Sequence, residues 1–210
     1  ENSEKDTDLP HMLPKQEAWG KVMSSLGINN NDDILIYDNS DLKSSCRLWF
    51  SLLYFGHDEK KIHILNGGLK KWIFENKPIT KLTTEIIKSN YVANEKENLV
   101  VSFDQIKKNI LSKSFNVIDA RSLERFEGKV SEPRKGLRSG HIQNSFCLPF
   151  NQCINQKTGE FKNLEELREL FNQNENIDER LDQVFTCGSG VTAAVLAYAY
   201  KMVNNDYIPK

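Results

Sequence analysis

No stretch of the 210 residues is apolar over the ~20 positions that a membrane-crossing helix needs. An excess of charge of one sign is missing too. The 28 basic residues are matched by 29 acidic ones, for a net charge of -1, so neither a nucleic-acid footprint nor a patch for a membrane surface is expected. Cysteine is scarce. The four thiols, Cys46, Cys147, Cys153 and Cys187, form no C-x-x-C pair and have no histidine at zinc-finger spacing. That argues against a metal site and a disulfide-stapled scaffold, and for a reducing compartment with at most one reactive thiol. The chain opens on Glu1 rather than Met, with no signal-like segment behind it; a mature, cleaved or trimmed chain is expected. What is present is ordinary for a globular protein: 39% hydrophobic and 27% charged residues, in a length that holds one large or two small domains. Asparagine clusters at 29–31 and 172–176 read as solvated loops.

Two segments share a plan. Residues 34–38 form a short β-branched apolar run, followed by a polar turn and a helical stretch over 45–54. Residues 184–187 repeat the run, followed by a glycine turn and a helical stretch over 191–203. Both read strand, tight loop, helix, and matching them puts Asp38 where Cys187 sits. Such self-similarity suggests a duplicated domain with one working copy. Elsewhere the alternation continues. Strands are expected at 62–65, 115–119 and 145–148. Helices are expected at 69–75, at 103–111 capped by Ser102, and at 164–172, where Leu164, Leu167, Leu170 and Phe171 have helical spacing. The expected fold is α/β, with largely parallel sheets flanked by helices. Its first domain spans 1–80, a polar linker spans 81–98 and a second domain spans 99–210.

The sharpest local feature is Thr186-Cys187-Gly188-Ser189-Gly190-Val191-Thr192-Ala193. A strand delivers Cys187 to its carboxyl end, where α/β folds place ligands. Gly188 and Gly190 are free to take positive φ, and the following helix adds unpaired N–H groups and a positive dipole end. Together these make an anion cradle around one sulfur. Thiols at helix N-termini titrate at about 3.5–7.5 rather than near ~8.5, and the thiolate is the competent nucleophile. The bland alternative is a small buried hydrophobe under a glycine turn. Cys46 and Cys147, in a helix and a strand, read as core residues, and Cys153 reads as incidental in a polar loop.

This loop resembles the rhodanese superfamily, in the C-G-S-G-V-T-A form typical of members that use 3-mercaptopyruvate. His11-Met12-Leu13-Pro14, Tyr37-Asp38, Phe55-Gly56-His57 and Asn66-Gly67-Gly68-Leu69 are similar to the non-catalytic first domain of its tandem members. Asp119-Ala120-Arg121, Arg125-Phe126, Gly128, Glu132-Pro133-Arg134, Gly140-His141-Ile142 and Leu148-Pro149-Phe150 are similar to the catalytic domain. The resemblance therefore implies two rhodanese-like domains, the first lacking its opening strand.

It also implies roles. Cys187 would be the nucleophile. Arg125 and Arg134 would hold the donor's carboxylate and carbonyl, a task suited to the guanidinium fork. Taken alone, either arginine reads as a surface ion pair with Glu124, Glu127 or Glu132. Ser189 would handle protons with His11, and the cradle formed by Gly188, Gly190, Val191 and Thr192 would bind substrate. His141 and Asp119 would serve structure. Thiosulfate-specific members carry C-R-K-G-V-T-A; Gly188 and Ser189 replace those two cations here, which should disfavour a dianionic donor. The implied reaction needs no metal and no organic cofactor. Its partners would be a small-molecule sulfur donor and a thioredoxin or small thiol acceptor. The chain would be a monomer or weak dimer in the cytosol or in mitochondria. Thiosulfate:cyanide transfer and a non-catalytic binding module are the competing readings. A cysteine phosphatase would need C-x5-R, and the sixth residue after Cys187 is Ala193.

Overall fold

The structure is a computed structural model in which residues 10–173 and 177–210 are described. Residues 1–9 of the expected first domain and 174–176 of the expected asparagine loop lie outside them. The chain divides into two compact units, Glu1–Glu97 with Thr158–Glu160, and Asn98–Lys157 with Phe161–Lys210.

In the first unit the order is α1 (Gln16–Ser25), β1 (Ile34–Ile36), α2 (Ser45–Tyr54), β2 (Ile62–Ile64) and α3 (Gly68–Phe74). Strands β1 and β2 pair in parallel, with Leu35 opposite His63. Helix α2 turns Cys46, Trp49, Phe50 and Leu53 inward at positions three or four apart, and all are buried. Trp19 of α1 stacks on Phe55 with centroids 4.6 Å apart. Residues 81–96, expected within the linker, carry no helix or strand, yet part of that stretch lies along the first unit. Tyr91 and Ala93 are buried, the Tyr91 amide donates to Ser24 Oγ at 2.9 Å, and the Tyr91 ring stacks on the buried His57.

The second unit runs α4 (Phe103–Ser112), β3 (Phe115–Asp119), α5 (Leu123–Phe126), β4 (Phe146–Cys147), α6 (Leu164–Asn172), β5 (Asp182–Thr186) and α7 (Val191–Val203). The sheet order is β4-β3-β5, all parallel. Helix α4 starts on a capping box between Ser102 and Gln105, and α6 on one between Asn163 and Glu166. Burial of Ile118, Leu167, Val195 and Leu196 welds helices to sheet; each such side chain stabilises by roughly 1.5–3 kcal/mol when fully removed from water. The register sets Asp119 beside both Cys147 and Thr186. Three strand ends therefore finish level, and Cys187 is the next residue beyond one of them. Cys153 corrects its expectation: it is fully buried because the 3-10 turn Phe150–Cys153 packs against α7. That burial pushes its thiol up to about 12.

Candidate active site

Strand β5 ends at Thr186, and α7 begins at Val191 after Gly190, its N-cap. Between them the chain folds back on the Cys187 sulfur. The Gly190 amide donates to Sγ at 3.1 Å and the Ser189 amide at 3.5 Å. Gly190 has φ 77, a left-handed conformation that costs a side-chain-bearing residue and that glycine takes freely. Gly188 does not take positive φ, against expectation; its small size matters for another reason. A Cβ placed there would stand 3.2 Å from Arg125 Nη2 and 3.7 Å from Arg134 Nη2. Two guanidiniums thus converge on the residue next to Cys187, and a side chain would crowd them. Arg134 Nη2 also donates to the Gly188 carbonyl.

Arg125 lies in the single turn α5, and its guanidinium is held by Glu132. Nε donates to Oε1 at 3.2 Å and Nη2 to Oε2 at 2.5 Å. Glu132 is no surface partner: its side chain is 4% exposed. It also accepts from Arg121 Nη1 at 2.8 Å, and Arg121 in turn grips Asp119 through Nε and Nη2. The result is a chain of alternating charges, Asp119–Arg121–Glu132–Arg125, running from the end of β3 to the cysteine loop. The hydrogen bond from Arg125 and the charges of both guanidiniums hold the Glu132 carboxyl below its ordinary value. Bonding to Asp119 raises Arg121. Composition near Glu132-Pro133-Arg134 hinted at these charges, but Glu132 itself was not among the expected site residues.

A cleft of about 570 Å³ opens over this arrangement, lined by Thr186, Cys187, Gly188, Arg134, Arg138 and His141 among others. His141 stacks on Phe126 at 3.8 Å and its Nδ1 lies 2.7 Å from the Phe126 carbonyl, which fits a supporting part. Val191 and Thr192 open α7 but make no hydrogen bond to the sulfur. His11 lies in the first unit, with φ 62 and its carbonyl accepting from Arg47 Nη2 at 2.8 Å. Cys147 is half-buried and its thiol is pushed up to about 11, first by burial and then by the Asp119 charge. Among the described residues no cluster of three or more His, Cys, Asp or Glu side chains could hold a metal ion.

A rhodanese-like domain model matches residues 3–75 and 102–207. The chain is 34% identical over 228 residues to the Arabidopsis thaliana thiosulfate/3-mercaptopyruvate sulfurtransferase 1, mitochondrial, covering 99% of this chain and 59% of that protein. It is 33% identical over 209 residues to the Homo sapiens 3-mercaptopyruvate sulfurtransferase, covering 99% of this chain and 69% of the human one. Among solved structures, SseA from Escherichia coli, described as a 3-mercaptopyruvate sulfurtransferase, superposes with a TM-score of 0.87 at 29% identity, over 99% of this chain and 76% of SseA. This chain thus spans less than two thirds of the Arabidopsis protein's length.

Proposed function

The chain belongs to the rhodanese-like family, and from that premise we propose that it is a sulfurtransferase that moves the sulfur of 3-mercaptopyruvate to a thiol or cyanide through a persulfide on Cys187. The observation that carries the reading is the convergence at one loop: two backbone amides on Sγ and two guanidiniums against Gly188.

The chemistry follows from those groups. The amides supply fixed positive ends to a sulfur anion without any reorganisation. Arg125 and Arg134 take the donor's carboxylate and carbonyl, which sets its sulfur before Cys187. The thiolate attacks that sulfur, the donor's C–S bond breaks, and its electron pair becomes the enolate of pyruvate. The proton leaving the donor thiol ends on the enolate carbon, so pyruvate departs and Cys187 carries a terminal persulfide anion in the same amide cradle. Ser189, in the cysteine loop itself, is the candidate for moving that proton. An acceptor thiol, from thioredoxin or a small molecule, or cyanide then attacks the outer sulfur and restores the thiolate. Gly188 and Ser189 leave the loop without cations of its own, which suits a donor with a single carboxylate. No helix among the described residues is long and apolar enough to cross a membrane, and the reaction fits the cytosol or mitochondria equally. A monomer or weak dimer suffices for it, since the groups assigned to donor binding all sit in the second unit.

A second donor, thiosulfate, is favoured by one observation: Arg138 lines the cleft and has no ion-pair partner among the described residues, so a further cation is available to a dianion. Pyruvate release from 3-mercaptopyruvate, run beside sulfite release from thiosulfate, decides between them. Cys187→Ser is expected to abolish both; a variant that released pyruvate at the wild-type rate would refute the nucleophile.

A further inference from the structure

Resting on the sulfurtransferase reading, we propose that Glu132 is a positioning residue: its carboxylate holds the side edge of the Arg125 guanidinium, so that the Nη1–Nη2 end is presented beside Gly188 to the donor. Arginine has two edges capable of paired hydrogen bonds, Nε with Nη2 and Nη1 with Nη2. Glu132 occupies the first, at 3.2 and 2.5 Å. The second is left for a ligand, and Nη2 is the atom that would stand 3.2 Å from a Cβ at Gly188.

Glu132 is itself fixed. Arg121 Nη1 holds its Oε1 at 2.8 Å, and Arg121 is clamped to Asp119 and to the Gly140 carbonyl at 2.8 Å. Asp119 is the last residue of β3, the central strand, so the guanidinium is referenced through three ion pairs to the middle of the sheet. A buried ion network is a weak source of stability, because desolvation offsets much of the attraction. What this one supplies is direction. Without Glu132, a side chain carrying about 2 kcal/mol of rotamer entropy would have to be ordered at each turnover. The lowered titration of the Glu132 carboxyl keeps it anionic at neutral pH.

Charge and orientation predict opposite results for Glu132→Gln. The change removes a negative charge from the cleft, so if charge alone matters, an anionic donor binds as well or better and reacts as fast. If Glu132 orients Arg125, each donor-binding event has to order the freed guanidinium, so persulfide formation at sub-saturating donor slows about 10- to 100-fold. The experiment follows the two half-reactions separately on the whole chain. Rapid mixing with 3-mercaptopyruvate reads formation of the persulfide, by mass and by pyruvate. Cyanide added to enzyme already loaded by long incubation reads discharge, which makes no use of the donor's carboxylate. The expected result is slow formation with discharge within about twofold of wild type. Formation within twofold of wild type overturns the proposal, and so does an equal fall in both half-reactions, which would mark a structural role. Should the Gln variant fail to fold, Glu132→Asp retains the charge and shortens the reach; the same split between half-reactions is then expected, smaller in size, and its absence overturns the proposal. A wild-type chain that forms no persulfide at all would remove the underlying reading as well, whereas a wild type that forms it beside an unaffected variant removes only the role of Glu132.

Discussion

At the end of β1, Asp38 turns its carboxylate back onto the start of α2, taking the Ser45 amide at 2.6 Å, the Ser44 hydroxyl at 3.3 Å and the Ser40 amide at 3.4 Å. At the end of β5, Cys187 turns its sulfur onto the Gly190 and Ser189 amides at 3.1 and 3.5 Å. Both units thus use the electropositive opening of a helix to receive one negative atom. In the first unit the anion is a fixed charge that closes the loop as a structural cap. In the second it is the proposed nucleophile, and the groups around it differ accordingly. Of the seven arginines, residues 1–97 contain only Arg47, which serves the His11 carbonyl, whereas Arg121, Arg125, Arg134 and Arg138 all surround or line the Cys187 cleft. A helix start explains why an anion sits at each loop; only the guanidiniums explain why one loop would turn over an anionic substrate.

The largest effect that could break this contrast comes from exchanging the two residues. In the double variant Asp38→Cys with Cys187→Ser, the first loop gains a thiol beside amide donors but no guanidinium joins the groups that bond it there. Pyruvate release should fall on the order of 10³-fold or more, as for loss of a nucleophile, with no mass gain of one sulfur on the first unit. Recovery of even a tenth of wild-type turnover by the thiol placed in the first loop would show that the helix start alone suffices.

Thiol labelling sharpens the same point at a smaller scale. Cys46 and Cys153 are fully buried. Thiols pushed up to about 11 and about 12, at Cys147 and Cys153, leave a thiolate fraction of roughly one in a thousand or less at about pH 8. Brief iodoacetamide treatment at that pH should therefore modify Cys187 alone, by about 100-fold over the other three in peptide mass spectra. Labelling of Cys147 should begin only as the pH rises toward its own titration, because its raised value means it loses its proton late. Equal labelling of Cys147 and Cys187 near neutrality would deny the cleft its single reactive sulfur.

Much of this was legible from the residues. The spans of α2, α6, α7 and β3 follow from periodicity and caps, and they are observed at 45–54, 164–172, 191–203 and 115–119. Helix α1 was not expected. It buries only Trp19, Gly20 and Met23, and its N-cap, Lys15, makes no side-chain cap bond, so neither stripe nor start signal is strong. The single turn α5 is too short to show a period. The glycine-bracketed cysteine was readable because strand, turn and helix start are all local. The grip of Glu132 on Arg125 was not, because it depends on how the irregular loop between α5 and β4 returns, and spacing alone made Glu124, Glu127 and Glu132 equal candidates. Only the fold singles out the one whose side chain is 4% exposed. Cys153 failed for the same reason: Asn151, Gln152 and Asn155 around it are polar, and burial came from the turn packing against α7.

The smallest effect tests the first loop as structure. Asp38→Ala strips acceptors from the Ser45 amide, which opens α2 in a residue that is itself buried. A lost cap costs ~1 kcal/mol, and an amide left without a partner away from water adds to it, so destabilisation of about 1–2 kcal/mol is expected in urea denaturation. Asp38→Asn keeps one acceptor oxygen and should cost less. Neither change touches the groups that bond Cys187 or the two guanidiniums beside Gly188, so pyruvate release per folded molecule should stay within about twofold of wild type. An Asp38→Ala chain of undiminished stability but slowed turnover would reverse the assignment, making the carboxylate at the first loop part of the chemistry rather than the cap of a helix.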